Sequence, residues 1–222
     1  MNIIDLTLPS NESAYGRDMF QIEEKRISDP AGDYTGLIHH FHHNSMVGSY
    51  IDFPSHVKET DDGSDAANYP PGKIFRVPAA VIHLDRADGS GQIGSDELAA
   101  ACPDWNRGGA LILNALGKRR FDQIVERSVY LNREAVRWII KKGFHLLISD
   151  VYESNDDPQH VFPDLFQNGV VTVCYPVNMQ LLTHPGFRVT VLFPRFARVT
   201  QLPCRVLVET GCADWDDSKK DA

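Results

Sequence analysis

The sequence predicts a single α/β domain built on a mixed, mostly antiparallel sheet with few helices. Short apolar runs bounded by glycine, proline and polar residues recur from one end to the other. Helical spacing is confined to the segments that follow Ser95, Asn132 and Val161. Strand and helix patterns alternate only in the middle of the chain, which fits a mixed sheet better than a doubly wound parallel one.

Taken in order, Ile3–Leu8 opens as a short strand ended by Pro9-Ser10-Asn11. The polar stretch through Ser28-Asp29-Pro30 and Gly32-Asp33 predicts an exposed loop or hairpin. Leu37 to Tyr50 reads as extended, and Phe75 to Leu84 contains a buried strand around Val77 and Ala79–Ile82. Ser95-Asp96-Glu97-Leu98 opens a short helix whose acidic first turn suits the helix dipole. Gly109–Asn114 is the strongest buried-strand signal, a continuous apolar run. Asn132 can cap a helix through Ala135, Val136, Ile139 and Ile140, which share one apolar face. Phe144–Ile148 is the next strand, Val161–Phe166 a helical turn or short helix, and Val170–Val173 a further strand. Strands near Val189–Phe193 and Arg205–Glu209 close the domain, and an acidic end begins at about residue 214.

With 222 residues, 42% of them hydrophobic and 23% charged, the chain has ordinary globular composition and enough length for one sizeable core. A net charge of −8 argues against a nucleic-acid partner, because phosphate binding calls for a clustered basic face. Lys118-Arg119-Arg120 is the one such cluster and reads as a solvated loop. No apolar run approaches the roughly 20 residues of a membrane span, and no signal peptide is visible at the first residues. Cys102, Cys174, Cys204 and Cys212 are scattered and read as reduced thiols of a cytoplasmic protein.

The densest site-like segment is Met46–His56. Asp52 and His56 bracket Pro54, so a carboxylate and an imidazole stand on a stiff turn. Such a pair can share a metal or act as a base and its orienter, though the spacing also arises by chance. His39, His40, His42 and His43 concentrate four of the nine histidines; in an extended segment His40 and His42 would share a face with Met46. A polar strand edge is the plainer reading of them. His160, after an acidic run, suits a surface position, and Cys174, at the end of its strand, suits packing as well as ligation. Phe41, Phe53, Tyr69 and Trp105 offer an aromatic wall or core. Neither a nucleotide-binding glycine loop nor a nucleophile elbow is present.

Gly48-Ser49-Tyr50-Ile51-Asp52-Phe53-Pro54-Ser55-His56 resembles the H-x-G-T-H-x-D-x-P-x-H signature of the cyclase family, which includes kynurenine formamidases and isatin hydrolases. The likeness extends through Ile4–Thr7, Leu111–Asn114, Tyr130–Ile139, Phe144–Asp150 with Ser154, His160, and Asn178–Leu182. The resemblance implies a swivelling β/β/α fold, assembly as homodimers or homotetramers, and a divalent metal such as zinc or manganese that activates water against an amide or lactam. Asp52, His56 and His160 match metal-site positions, whereas Met46, Tyr50 and Cys174 stand where the family has two histidines and a glutamate. A thioether and a neutral phenol are poor ligands for these metals.

Three readings follow. In one, Asp52, His56, His160 and Cys174 hold a metal, or Tyr50, Asp52, His56 and His160 carry metal-free acid–base chemistry on a small amide, lactam or carboxylic acid. In another, the chain binds a small molecule without catalysis. In the last, Met46 and Tyr50 only fill the space of lost ligands.

Overall fold

A computed structural model describes residues 2–12, 20–86, 91–183 and 186–211. Cys212 and the acidic end from about 214 lie outside the described residues. The strands are β1 (Asn2–Asp5), β2 (Phe20–Ile27), β3 (Tyr34–Phe41), β4 (Tyr50–Asp52), β5 (Val77–His83), β6 (Gly91–Ile93) and β7 (Gly109–Asn114). They continue with β8 (Val129–Leu131), β9 (Phe144–Ser149), β10 (Val171–Cys174), β11 (Phe187–Leu192), β12 (Gln201–Pro203) and β13 (Arg205–Thr210). The α-helices are α1 (Ser95–Ala101), α2 (Arg133–Lys141) and α3 (Val161–Gln167). None is long and apolar enough to cross a membrane.

One nine-stranded sheet carries the fold in the order β1-β13-β11-β5-β7-β9-β10-β4-β12. Its centre, β5-β7-β9-β10, is parallel, and both flanks are antiparallel. Parallel strands must be covered on both faces, so β7 reads as an unbroken apolar run; Ala110 to Leu113 have no exposure. Ile112, Ile148, Val173 and Val206 face one core, and Leu111, Leu113 and Leu147 face the other. That second core is closed by Leu98 of α1, Val136 and Ile139 of α2, and Leu165 of α3. Asn132 caps α2 as its side chain accepts from the Ala135 N–H at 2.9 Å. Gly109 enters β7 at φ +90°, and a Cβ there would sit 2.4 Å from the Pro78 carbonyl oxygen, so no larger residue fits.

The strand expected over Leu37–Tyr50 is interrupted. β3 ends at Phe41, and 42–49 is irregular until β4 begins at Tyr50. The break has a cause at Gly48, which turns at φ +65° with the place of its missing Cβ only 2.6 Å from the Leu8 carbonyl oxygen. Ser49 then docks against three segments at once. Its hydroxyl accepts from the Leu8 N–H at 2.8 Å and donates to the Tyr175 carbonyl at 2.8 Å. Its own N–H and carbonyl bond Leu8 and Cys204. The histidines are consequently split: His40 stays on β3 with Glu23 at 2.9 Å, His43 turns to the Asn44 carbonyl, and His42 is off the strand.

Ile112→Ala, in the middle of the central strand, should lower stability by about 2–5 kcal/mol. Asn132→Ala removes one cap and should cost about 1 kcal/mol. Urea midpoints of the two variants, compared with the parent chain, check this ranking.

Candidate functional site

The pairing of β4 between β10 and β12 assembles the site. Asp52 lies opposite Thr172 and Gln201, and Tyr50 opposite Cys174 and Pro203. Residues two apart share a face of a strand, so Tyr50, Asp52, Thr172, Cys174 and Gln201 form one patch. Their neighbours Ile51, Val173 and Leu202 fill the core on the opposite face.

Asp52 is 3% exposed and has no cation beside it among the described residues. Its Oδ2 accepts from the Thr172 hydroxyl at 3.4 Å and the Cys174 thiol at 3.6 Å, both long contacts. Its Oδ1 is buried with no partner among the described residues. Burial disfavours the charged form and pushes the carboxyl from 3.8 to about 7, against the opposing pull of Gln201, Cys174 and Thr172. Burial likewise pushes the Tyr50 phenol well above its ordinary value, helped by Cys174 and Asp52. The Cys174 thiol is raised by burial and then by Asp52, so both groups stay protonated near neutrality.

The histidines stand apart from this patch. His56 ends the short turn Pro54–His56, and its Nε2 accepts from Gln201 Nε2 at 3.1 Å. The Gln201 Oε1 accepts from the Ser45 hydroxyl, so Gln201, which lies opposite Asp52 in the sheet, stands between His56 and Asp52. Partial burial lowers the His56 pKa. His160 precedes α3 in a left-handed conformation, its side chain 64% exposed, with Nδ1 3.0 Å from Asp164. Met46 is half-buried and packs against the second core.

Above the patch is a cavity of about 400 Å³ lined by Tyr50, Cys174, Tyr152, Tyr175, Phe121 and Phe162, with Arg127, Glu126 and Glu153 around it. Tyr50 meets Tyr175 edge-on at 5.7 Å, Phe121 lies 4.3 Å from Tyr175, and Tyr152 stacks on Phe162 at 5.1 Å. The Tyr152 hydroxyl reaches the carbonyls of Val173 at 2.7 Å and Leu147 at 3.0 Å, which fixes the ring. These aromatics come from five separate segments, and no spacing in the sequence announces them. The aromatic wall expected from Phe41, Phe53, Tyr69 and Trp105 is not assembled. Phe53 and Tyr69 pack together in the first core, Trp105 stacks on Phe144, and Phe41 stands on the β2–β3 hairpin.

A second cavity, of about 450 Å³, lies beyond Phe121 and Tyr175, with Lys118, Arg119, Arg120, Asn114 and Asn178 in its lining. Asp150 borders both cavities and accepts from the N–H groups of Ala115 at 2.9 Å and Leu116 at 3.0 Å. Burial raises its carboxyl to about 6. Arg120 pairs with Glu12 at 2.7 Å and Asp122 at 3.2 Å.

The family model described as "Putative cyclase" matches residues 4–155. The chain belongs to the cyclase family. Among solved structures of similar fold is isatin hydrolase A from Labrenzia aggregata bound to benzyl benzoate. It is 18% identical with a TM-score of 0.68, over 94% of this chain and 93% of that one. Isatin hydrolase A from Ralstonia solanacearum is 17% identical, with a TM-score of 0.67 over 93% and 91%. The "predicted metal-dependent hydrolase" from Bacillus stearothermophilus is 16% identical, with a TM-score of 0.57 over 93% and 97%. No curated protein sequence matches the chain.

Cyclase-family relatives described as metal-dependent raise the question whether the residues here fit a divalent ion. They do not. Of the candidate ligands Asp52, His56, His160 and Cys174, only Asp52 and Cys174 meet, while His56 is engaged by Gln201 and His160 by Asp164. Among the described residues no group of three or more His, Cys, Asp or Glu is placed to hold a metal.

Elemental analysis of untagged protein should therefore give equal metal content for the parent chain and Asp52→Asn. Metal that falls selectively in Asp52→Asn would show a rebuilt ion site. Stability should also depend on pH through Asp52. Its folded pKa is raised, so the folded chain holds the proton more tightly than the unfolded chain. The contribution is fully present below 3.8 and is lost as pH rises toward about 7. Thermal midpoints of Asp52→Asn should lack this part of the decline.

Proposed function

We propose that the chain is a hydrolase-like cyclase-family enzyme. It acts on a small aromatic amide, lactam or carboxylic acid through acid–base groups rather than an ordinary metal site. The observation that carries this reading is the floor of the aromatic cavity, where Tyr50 and Cys174 adjoin a buried carboxyl poised at about 7. A general acid or base works best with a pKa near the operating pH. Membership of the cyclase family supports a hydrolytic activity in general, and structural neighbours include isatin hydrolases, whose substrate is an aromatic lactam by their name.

A flat ring lying in the cavity against Tyr175, Phe121 and Tyr152 would present its carbonyl oxygen to Tyr50. The Tyr50 hydroxyl, held protonated, donates to that oxygen as charge develops on it. Cys174 stands directly across the strand pair from Tyr50 and 3.6 Å from Asp52, so protons can pass between the cavity and Asp52 through the thiol. Water adds to the carbonyl carbon as its proton passes to the ionised Asp52; the C–N bond then breaks as the carbonyl reforms, and Asp52 returns that proton to the departing nitrogen. His56 acts through Gln201, by holding the amide that faces Asp52.

A second reading is favoured by one feature: Asp52 itself does not line the cavity. A pocket from which that carboxyl is screened by a thiol and a phenol is also suited to binding without turnover.

A panel of aromatic formamides, lactams and small carboxylic acids separates the two. Turnover is expected, with kcat/KM falling by about 10²-fold or more in Tyr50→Phe. Asp52→Asn should remove the inflection near neutral pH from the rate profile. Tight calorimetric binding with no turnover across the panel would leave the silent-binder reading.

A further inference from the structure

The second cavity, unused by the proposed chemistry, lies at the carboxyl ends of the parallel strands β7, β9 and β10. The segments that leave those strands, 117–120, Asp150 and 176–180, form most of its lining. Crevices at the carboxyl ends of parallel strands are where open α/β sheets take ligands. Its volume of about 450 Å³ falls in the range of small-molecule sites. Its walls are of two kinds, an apolar one from Pro176, Val177 and Met179 and a cationic one from Lys118, Arg119 and Arg120. The carboxylates that border it are already engaged. Asp5 is held by Arg205 at 2.6 Å, Asp150 accepts from the N–H groups of Ala115 and Leu116, and Glu12 accepts from the Arg120 Nη1. Lys118, by contrast, is exposed and in no ion pair among the described residues.

Arg120 is only partly satisfied. Its Nη1 donates to Glu12 at 2.7 Å and its Nη2 to Asp122 at 3.2 Å, while its Nε is buried with no acceptor among the described residues. A buried donor of a charged group is costly to leave without an acceptor. The Nε–H and one Nη2 N–H lie along one edge of the planar guanidinium, the fork that a carboxylate fits with two parallel hydrogen bonds. Arg76 shows that fork filled: its Nε donates to Glu209 Oε1 at 3.0 Å and its Nη2 to Oε2 at 2.9 Å. At Arg120 the same edge holds only the 3.2 Å contact with Asp122.

We propose that this cavity binds a small organic acid, its carboxylate on the Nε–Nη2 edge of Arg120 beside Lys118 and its apolar body against Pro176, Val177 and Met179. The apolar wall and the volume favour an organic anion over a bare inorganic one. The incoming carboxylate displaces the longer Asp122 contact and leaves Glu12 on Nη1. The aromatic cavity is a poor competitor for the same ligand. Its charged lining residues are Asp122, Glu126, Asp150 and Glu153 against Arg127 alone, a balance that repels anions.

Isothermal titration of the full chain with benzoate, and separately with inorganic phosphate, is the test. It involves no turnover, so its outcome stands apart from whether aromatic amides are hydrolysed. Benzoate should bind at a single site, more tightly than phosphate, and less tightly as sodium chloride is added. Lys118→Gln and Arg120→Gln should each weaken it by about tenfold, the scale of one charge-assisted hydrogen bond. Arg120→Lys keeps the charge and loses the fork, so it should fare little better than Arg120→Gln. Asp122→Asn clears the edge and should tighten binding, while Tyr50→Phe, in the aromatic cavity, should leave it unchanged. Lys118 is exposed, so its replacement remains a valid test even if the Arg120 variants fail to fold. Absence of benzoate binding would overturn the proposal. So would binding that survives Lys118→Gln and is lost in Tyr50→Phe, which would place the acid in the aromatic cavity. Phosphate held more tightly than benzoate would rule out the organic acid as occupant.

Discussion

Four hydrogen bonds converge on Ser49, and the placement of Tyr50 and Asp52 in the candidate site follows from them. The residue is 1% exposed and ties the segment after β1, the exit of β10 and the start of β13 to one point. Gly48 makes the approach possible because no side chain fits against Leu8. One residue later β4 begins, so Tyr50 and Asp52 inherit their register against β10 and β12 from this knot. A buried, fully satisfied hydroxyl of this kind is worth more than its bond count, because losing it would leave several backbone groups unpaired in the interior.

The register thus imposed places a carboxyl where the sheet offers it little. Among the described residues Asp52 has no cation, two long contacts and one oxygen without a partner. In a low-dielectric setting the answer is to hold a proton, and the surrounding phenol and thiol behave in the same way. The histidines that would compensate a charge have been drawn off, His56 by an amide and His160 by Asp164. The outcome is a patch of buried groups that burial holds toward their protonated forms.

Much of the framework was legible in the sequence because the signals were local. β7 announced itself by an unbroken apolar run, α2 by Asn132 and a four-residue apolar face, and the Met46–His56 motif marked where Tyr50 and Asp52 would stand. The segment from Leu37 to Tyr50 was misread as continuous, since histidines do not alternate in hydropathy and the stop at Gly48 depends on a contact with Leu8, 40 residues away. The cavity was illegible for a related reason: Phe121, Tyr152, Phe162 and Tyr175 gather only after the strands that separate them have paired.

Phe121 packs against Tyr175 in the wall of the aromatic cavity, and its neighbour Arg120, which lines the second cavity, pairs at the surface with Glu12. Exposed pairs of this kind are worth about 1 kcal/mol or less and weaken with salt. The segment that carries Phe121 is thus fastened from outside by a salt-sensitive contact and from inside by an aromatic one. Dissolved electrolyte would thereby loosen the outer fastening of the cavity's edge and leave the inner one untouched.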